Sequence, residues 1–220
     1  MGDELAGFGG AAHRVAAELR RSILDGELPP GARVRQEEVA ARIGASRLPV
    51  REALRMLTAE GLLQSEPNKG ARVSVLTAAD VDLIYQMRER LEPLALIETL
   101  PHLTDADLAR LADLQEQIAA HEDVADFLQV DREFHLLTYS YCALESLSDT
   151  VLRMWNSTQH YRRAFMHVVG SGQRWVINAE HGLLLDALRR RDPVDAERYL
   201  AGHIRRTRVE LSRHPEIFGA

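Results

Sequence analysis

The sequence predicts a mainly α-helical protein with an N-terminal winged helix-turn-helix, whose wing is a small β-hairpin, and a C-terminal all-α antiparallel helical bundle. Two observations lead to this fold class. A short helix, a glycine turn, a second helix and two β-prone runs follow one another before residue 76, and helix-period patterns alone fill the rest of the 220 residues. We therefore place one domain at residues 11–76 and a second at residues 77–214, after a disordered N-terminus at residues 1–10.

The first domain begins with a helix from Ala11 to Asp25, whose apolar residues recur at helical spacing and which ends at Gly26. A turn rich in proline and glycine at residues 28–31 separates it from a supporting helix at Gln36–Ile43. Arg35 directly precedes the supporting helix. It is either a phosphate contact or an ordinary solvated arginine.

The second helix of the motif starts at Ser46, after the turn at Gly44. The serine hydroxyl is a good N-cap because it can accept from the free backbone N–H groups of the first turn. Arg47, Arg51 and Arg55 repeat every four residues on the face opposite the apolar stripe. Arginines near the start of such a helix suit a major-groove reader, because a guanidinium can fork onto guanine or clamp a phosphate. The alternative is a solvated face whose arginines pair with nearby glutamates.

Two β-prone runs at residues 62–65 and 71–75 flank a turn and predict the hairpin. Lys69 and Gly70 lie on this wing. Helix, turn, helix and hairpin together describe a winged helix, and we interpret the whole element as a DNA-binding domain.

The charge is unevenly distributed along the chain. Residues 1–76 hold eleven Lys and Arg against ten Asp and Glu, whereas the remainder holds 16 against 23, which gives the net charge of −6. A chain with this net negative charge is not expected to bind polyanions such as DNA without regard to sequence. Its DNA affinity must therefore come from a local basic face. The lone Cys142 cannot form an internal disulfide and fits the reducing cytoplasm. No apolar run approaches the roughly 20 residues of a membrane span, so no membrane partner is expected.

The second domain opens with two capping signatures, Thr77 with Asp80 and Thr104 with Asp107, each of which predicts the start of a helix. Four further helices are predicted at residues 124–141, 148–167, 173–191 and 193–212. Six helices without strands predict an antiparallel bundle.

A carboxylate and three imidazoles share the predicted interior of this bundle. Asp131 and His135 lie one turn apart on one helix, and His181 and His203 sit mid-helix among apolar residues on two others. Such a buried polar cluster is costly unless a divalent metal ion holds it. Three neutral histidine nitrogens and one aspartate oxygen suit zinc above all, and also nickel, manganese or iron(II). Each histidine alone has an ordinary alternative as a hydrogen-bonded core or surface residue.

Residues 15–75 resemble the winged-helix domain of the GntR family of bacterial transcription regulators. The matching segments are Ile23–Gly31, Ser46–Leu54, Glu60–Leu63 and Asn68–Val73. One departure is Leu48, which stands where the family usually has a threonine. An apolar contact with a thymine methyl group is the interaction expected there.

The resemblance assigns DNA contacts to two parts of the domain. The recognition helix supplies Arg47 and Arg51, which would contact bases or phosphates, and Ser46, which would cap the helix and lie at a phosphate. The wing supplies Lys69 and Gly70, in the minor groove or at its edge.

Residues 77–212 resemble the all-helical FCD effector domain of the FadR-like branch of the same family. The motifs that match are Asp131–His135, Glu180–His181 and His203. In many members these positions bind a metal ion that anchors a small carboxylate ligand. Arg88 matches a position where an arginine faces the cavity, and it could fork onto the ligand's carboxylate. The alternative is an ion pair with Glu92, one turn further along the helix.

These observations predict a metabolite-responsive transcription regulator that is not an enzyme, and a repressor if it follows the habit of the family. A homodimer would bind a palindromic DNA operator, because two-fold sites need two half-sites about one helical turn apart. A small organic acid bound to the metal would change the distance between the two DNA-binding domains of the dimer. The alternatives are the same regulator with a structural or sensory metal, and a metal-dependent hydrolase, for which no general base is evident outside the four ligands.

Overall fold

The computed structural model of the chain describes residues 2–66 and 70–218. The chain divides into two compact units, which are Met1–Leu76 with Trp155–His160 and Thr77–Met154 with Tyr161–Ala220. The predicted fold class is confirmed, because a small sheet follows the N-terminal helices and only helices follow the sheet in the described residues. None of the helices in these ranges combines the length and the apolar character that a membrane crossing requires.

The described residues of the N-terminal part of the first unit form three helices, α1 (Gly2–Leu24), α2 (Gln36–Ile43) and α3 (Arg47–Ala59). Its antiparallel sheet has the strand order β1-β3-β2, with β1 (Arg33–Val34), β2 (Leu63–Glu66) and β3 (Gly70–Val73). The sequence did not predict β1, because a strand of two residues is too short to show alternation. It pairs Arg33 opposite Arg72 and Val34 opposite Ala71, which attaches the segment before α2 to the wing.

Helix α1 differs from its prediction at its N-terminal end. It begins at Gly2, so residues 2–10 are helical where we expected disorder. Once a helix is nucleated, each added residue gains a hydrogen bond for the ordering of one residue only. The stretch Glu4–Ala6 consists of good helix formers and can continue the helix upstream. Residue 1 lies outside the described residues.

Helix α3 is held in place by its apolar side and by one ion pair. The core of the first unit draws on every helix and strand, and its members include Leu19, Val34, Val39, Val50, Leu54, Leu57, Leu63 and Val73. Arg20 of α1 donates two hydrogen bonds to Glu60, from Nε at 2.7 Å and from a terminal nitrogen at 2.5 Å. Gly61 follows with φ of 77° and ends the helix, as predicted.

The second unit contains six α-helices in its described residues. They are α4 (Ala78–Thr99), α5 (Asp105–Ala120), α6 (Val124–Leu137), α7 (Glu145–Val169), α8 (Arg174–Arg189) and α9 (Pro193–Ser212). Both predicted capping boxes are present, at Thr77 with Asp80 and at Thr104 with Asp107. Helix α4 packs along α9, α8 packs against α9 and α5, and α5 packs against α6. Helices α6, α8 and α9 border a common interior, because His135, His181 and His203 on these helices lie close together.

Gly70 provides a test of how the wing is fixed. Its φ is +87°, and a Cβ at this position would lie 2.9 Å from the backbone oxygen of Val34. Gly44 has φ of +67° with open space around it, so it serves as the matched control. We expect Gly44→Ala to lower the free energy of unfolding by about 1 kcal/mol through left-handed strain alone. Gly70→Ala should cost more in urea unfolding, because β1 must also move; equal losses would contradict this account.

Candidate DNA-binding face and metal centre

Helix α3 presents an arginine face to solvent. The side chains of Arg47, Arg51 and Arg55 are 75%, 59% and 76% exposed. The opposite side of the helix is buried and is formed by Pro49, Val50, Ala53, Leu54 and Leu57. The apolar side therefore anchors the helix and leaves three guanidinium groups directed away from the core.

Each of these arginines has an acidic neighbour. A terminal nitrogen of Arg47 donates to Glu37 of α2 at 2.9 Å. Arg51 and Arg55 lie 3.7 Å and 3.6 Å from the carboxylate of Glu52. Exposed ion pairs of this kind contribute little, because water and salt screen them. Phosphate oxygens can replace these carboxylates, so the pairing is compatible with a DNA-binding role.

Ser46 occupies the N-cap position of α3, as predicted, with φ of −74° and ψ of 165°. Its hydroxyl makes no capping hydrogen bond to the helix, which differs from the prediction. The cause is Pro49, the third residue of the helix, because proline has no N–H to offer at the position that a serine cap usually contacts. The hydroxyl can therefore be directed towards an external acceptor such as a phosphate.

The other predicted DNA contacts are distributed around this helix and the wing. Leu48, near the start of α3, is 45% exposed. Arg35 is the N-cap residue of α2, and its guanidinium donates to Glu38 at 2.8 Å. Gly70 is the first residue of β3. Lys69 lies outside the described residues.

Three buried histidines converge in the second unit. His135 of α6, His181 of α8 and His203 of α9 each place one ring nitrogen within 4.8 Å of the others. Their ring centroids are 5.0 Å apart for His135 and His181, 5.1 Å for His135 and His203, and 4.8 Å for His181 and His203. Nitrogen ligands of a tetrahedral zinc ion lie about 3.4 Å from one another. The spacing of up to 4.8 Å between the histidine nitrogens is wider than this, so metal binding would require the rings to move closer together.

Two of the rings are oriented by side chains outside the cluster. His181 Nδ1 lies 2.9 Å from Gln115 Oε1, and His203 Nδ1 lies 2.7 Å from Glu180 Oε2. An oxygen acceptor at Nδ1 fixes the proton on that nitrogen, so Nε2 of each ring keeps its lone pair for a metal ion. Arg206 holds Glu180 in turn, since its Nε donates to Glu180 Oε1 at 2.7 Å.

Asp131 joins the histidines from one turn earlier on α6 and is fully buried. Its Oδ2 accepts a hydrogen bond from Arg162 of α7 at 2.7 Å. Its Oδ1 has no hydrogen-bond partner and lies 3.8 Å from His181 Nε2, which is also without one. Two buried acceptors that face each other are costly, and a cation between them would satisfy both. The donor set therefore fits a divalent metal ion.

The protonation states of His135, His181 and Asp131 also suit a metal ion. Burial, followed by the positive charge on neighbouring groups, lowers the pKa of His135 well below its usual range and that of His181 to about 3. Burial alone would raise the pKa of Asp131, but Arg162 and the two histidines His181 and His203 outweigh it and lower that pKa. Neutral imidazoles and an ionised carboxylate are the forms that bind a metal.

Arg88 is buried on α4 and forms the ion pair that was its alternative interpretation. Its Nε donates to Glu92, and the Tyr139 hydroxyl donates to the second oxygen of Glu92 at 2.6 Å. The guanidinium carbon lies 4.7 Å from the centre of the Tyr85 ring. Its positive charge contributes to the lowered pKa of His135. Arg88 therefore belongs to the polar interior of the bundle, although its closest carboxylate is an internal one.

The sequence did not indicate the role of three residues that orient the candidate metal ligands. Gln115, Glu180 and Arg162 reach the site from α5, α8 and α7, and each acts on a ligand far away in the sequence. Glu180 directly precedes His181, so its adjacency to a ligand was a usable signal. Gln115 and Arg162 carried none, because polar residues at single positions of long helices are ordinary.

Two family models match the chain. The model described as "Bacterial regulatory proteins, gntR family" matches residues 11–73, and the model of the FCD domain matches residues 83–206. The FCD match includes all four candidate metal ligands. The GntR match includes α3 and the wing.

Two curated relatives and one solved structure are similar to this chain over most of its length. The "Probable D-xylose utilization operon transcriptional repressor" of Paenarthrobacter nicotinovorans is 32% identical over 197 residues, covering 86% of this chain and 85% of the relative. The uncharacterized HTH-type transcriptional regulator YdhC of Bacillus subtilis is 29% identical over 193 residues, covering 84% of each chain. The solved structure of E. coli McbR/YncC has a TM-score of 0.82 and 25% identity, covering 93% of this chain and 98% of that one.

The matched models and relatives are those of DNA-binding transcription regulators rather than enzymes. The fold agrees, since a winged helix-turn-helix precedes a helical domain. The chain belongs to the GntR family of bacterial transcriptional regulators, in the branch that carries an FCD effector domain.

Proposed function

We propose that the protein is a cytoplasmic one-component repressor that binds a palindromic operator as a homodimer and responds to a small organic acid held by a metal ion. Residues 11–76 would form the DNA-binding domain, and residues 77–214 would bind the effector and dimerise. The observation that carries the effector half is the buried set of three histidines and Asp131. A repressor is favoured because relatives include the D-xylose operon repressor and E. coli RspR, which is named as a transcriptional repressor.

On the DNA side, the recognition helix would lie in the major groove with its arginine face towards the bases. Arg47 and Arg51 would contact bases or phosphates, and the Ser46 hydroxyl would lie at a phosphate. The exposed Leu48 side chain suits a thymine methyl group. Arg35, at the start of α2, would contact the backbone, and Lys69 and Gly70 would place the wing at the minor groove.

On the effector side, zinc is the ion that this donor set fits best, with nickel, manganese or iron(II) as further candidates. Asp131, His135, His181 and His203 would hold it through Oδ1 and three imidazole nitrogens. When bound, the ion would act as a Lewis acid that accepts a carboxylate oxygen of the effector. Gln115 and Glu180 would keep the rings of His181 and His203 oriented, and Arg162 would keep Asp131 ionised.

Arg88 is the proposed second contact for the effector. Its guanidinium already holds one carboxylate, that of Glu92, in a buried ion pair. An effector carboxylate would have to share Arg88 with Glu92 or replace it. The free energy of the Arg88–Glu92 pair would therefore oppose effector binding and lower the affinity for the effector.

A structural metal is the competing proposal, because the three histidines are between 0% and 7% exposed and leave little room for a ligand. In that case the ion would only hold α6, α8 and α9 together. A sensory role, in which the metal itself is the signal, uses the same four residues.

The DNA-binding proposal is tested by Arg47→Ala and Arg51→Ala. Each should weaken binding to the native operator roughly tenfold to a hundredfold, because each removes a base or phosphate contact of about 1–3 kcal/mol. The measurement is an operator gel shift or fluorescence anisotropy at one fixed salt concentration. Arg198→Ala, which removes an exposed arginine from α9, is the matched control and should bind normally. If both α3 variants bind the operator as tightly as wild type, the assignment of α3 as the recognition helix is wrong.

The metal site is tested by His135→Ala combined with His181→Ala. The variant should lose about one equivalent of metal per chain, because two of the four proposed ligands are gone. Elemental analysis of the purified protein measures this directly. His102→Ala, which removes an exposed histidine from the same unit, should keep its metal. If the metal content of the double variant is the same as that of wild type, the proposed metal site is wrong.

The effector contact is tested on metal-loaded protein with acetate, lactate and succinate as probes. Wild type should gain thermal stability with at least one of these carboxylates, and Arg88→Ala should lose that gain while keeping its metal. Because Arg88→Ala leaves Glu92 buried and unpaired, Arg88→Met with Glu92→Leu provides a second variant without an orphaned charge. An unchanged thermal shift in the double variant would rule out Arg88 as the contact, whereas a wild type that gains no stability with any of the three acids would favour the structural metal.

A further inference from the structure

Tyr85 of α4 has a buried hydroxyl group that is left without a hydrogen bond. The residue is 1% exposed, and its hydroxyl makes no hydrogen bond to any residue that the structure describes. A buried tyrosine hydroxyl usually has a partner, because a hydroxyl that is removed from water and left unsatisfied destabilises the folded chain. The position therefore calls for a partner outside the described residues.

This hydroxyl belongs to the same polar interior as the candidate metal centre. Tyr85 precedes Arg88 by less than one turn of α4, and the Arg88 guanidinium carbon lies 4.7 Å from the centre of the tyrosine ring. Burial raises the pKa of Tyr85, and four charged groups also act on it. These groups form two buried ion pairs, Arg88 with Glu92 and Arg162 with Asp131. Tyr85 is therefore a neutral phenol, able to donate, within electrostatic range of a proposed metal ligand.

A second buried phenol in this interior has a purely internal role. The Tyr139 hydroxyl donates to Glu92 Oε2 at 2.6 Å, so its proton is used within the chain. The other oxygen of Glu92 accepts from Arg88. The Tyr85 hydroxyl makes no such bond to a described residue, so its proton remains available to a bound molecule.

The proposed function already assigns both oxygens of the effector carboxylate. The metal ion would accept one of them, and Arg88 would donate to the other. A further buried donor in the same interior therefore addresses another oxygen of the ligand. We infer that the Tyr85 hydroxyl recognises this additional oxygen, so that the effector is a hydroxy acid or an oxo acid rather than a plain alkanoic acid.

The selectivity follows from the burial of the hydroxyl. A plain acid leaves the Tyr85 hydroxyl buried and unsatisfied in the complex, whereas a hydroxyl or keto oxygen on the ligand satisfies it. Sites built to hydrogen-bond a ligand oxygen reject analogues that lack this oxygen for the same reason. The inference rests on the proposed function, because it names the class of acid that the metal-anchored site selects.

The first test compares acids of the same chain length on the full-length, zinc-loaded protein by isothermal titration calorimetry. Propionate is the reference, and lactate, 3-hydroxypropionate and pyruvate each carry one additional oxygen. At least one of them should bind about tenfold to a hundredfold more tightly than propionate. In Tyr85→Phe this preference should fall to within about threefold of unity, while the affinity for propionate stays within about threefold of wild type.

Tyr139→Phe is the matched control, because it removes a hydroxyl of the same kind that is already bonded to Glu92. It should keep the wild-type preference, even where the loss of the bond to Glu92 changes all affinities together. Both variants should keep their zinc, since neither hydroxyl is among the four proposed ligands. Loss of zinc from Tyr85→Phe would make this hydroxyl a metal ligand and would overturn the inference.

The second test needs no effector and measures the thermal unfolding of the zinc-loaded variants. Tyr85→Phe should be at least as stable as wild type, because it removes an unsatisfied hydroxyl. Tyr139→Phe should be less stable, because Glu92 loses a hydrogen-bond donor. If Tyr85→Phe is destabilised as much as Tyr139→Phe, its hydroxyl is satisfied in the free protein, by an ordered water or by the chain, and the inference is wrong.

The outcomes separate this inference from the proposed function. If wild type binds propionate as tightly as the acids with an additional oxygen, or if Tyr85→Phe keeps the preference, the role of Tyr85 is wrong and the metal-anchored effector stands. If none of the four acids binds the zinc-loaded protein, the metal-anchored effector is wrong as well.

Discussion

The helical domain is organised around the burial of one ionised carboxylate. Asp131 is fully removed from water, and a charge in that position is tolerated only when other groups neutralise it. Arg162 supplies one hydrogen bond to Oδ2, while Oδ1 is left facing the neutral ring of His181. His135 and His181, whose pKa values the same burial lowers, cannot complete the compensation. A divalent cation could, and for this reason we propose that one binds among these polar groups.

The two halves of the chain use side chains in opposite ways. In the first unit, a tightly packed apolar side of α3 and the Arg20–Glu60 pair fix the backbone, and the proposed DNA-binding arginines remain exposed and weakly paired. In the second unit, the proposed metal ligands are buried, and Asp131, His181 and His203 are each held by a side chain from another part of the chain, as His203 is by Glu180. Exposed arginines suit a partner as large as DNA, whereas preoriented buried groups suit a small ligand.

The parts of this fold that local signals specify were predicted well. The capping boxes at Thr77 and Thr104 and the glycines at positions 44 and 61 each act within one helical turn, so sequence spacing alone locates them. Strand β1 was missed because its structure comes from pairing with β3. Gln115 and Arg162 were missed for the same reason, since only the packing of distant helices gives them a role. The four proposed metal ligands remain a prediction about chemistry that the geometry is compatible with.

The placement of the histidines on α6, α8 and α9 has a consequence for how the domain unfolds. An ion bound by all of them would tie together segments that are far apart in the sequence, in the way that a disulfide closes a loop and restricts the disordered chain. The chain has a single cysteine, so it has no internal disulfide that could do this. The ion proposed to bind the effector would then also cross-link the helices of the effector domain and stabilise it against unfolding.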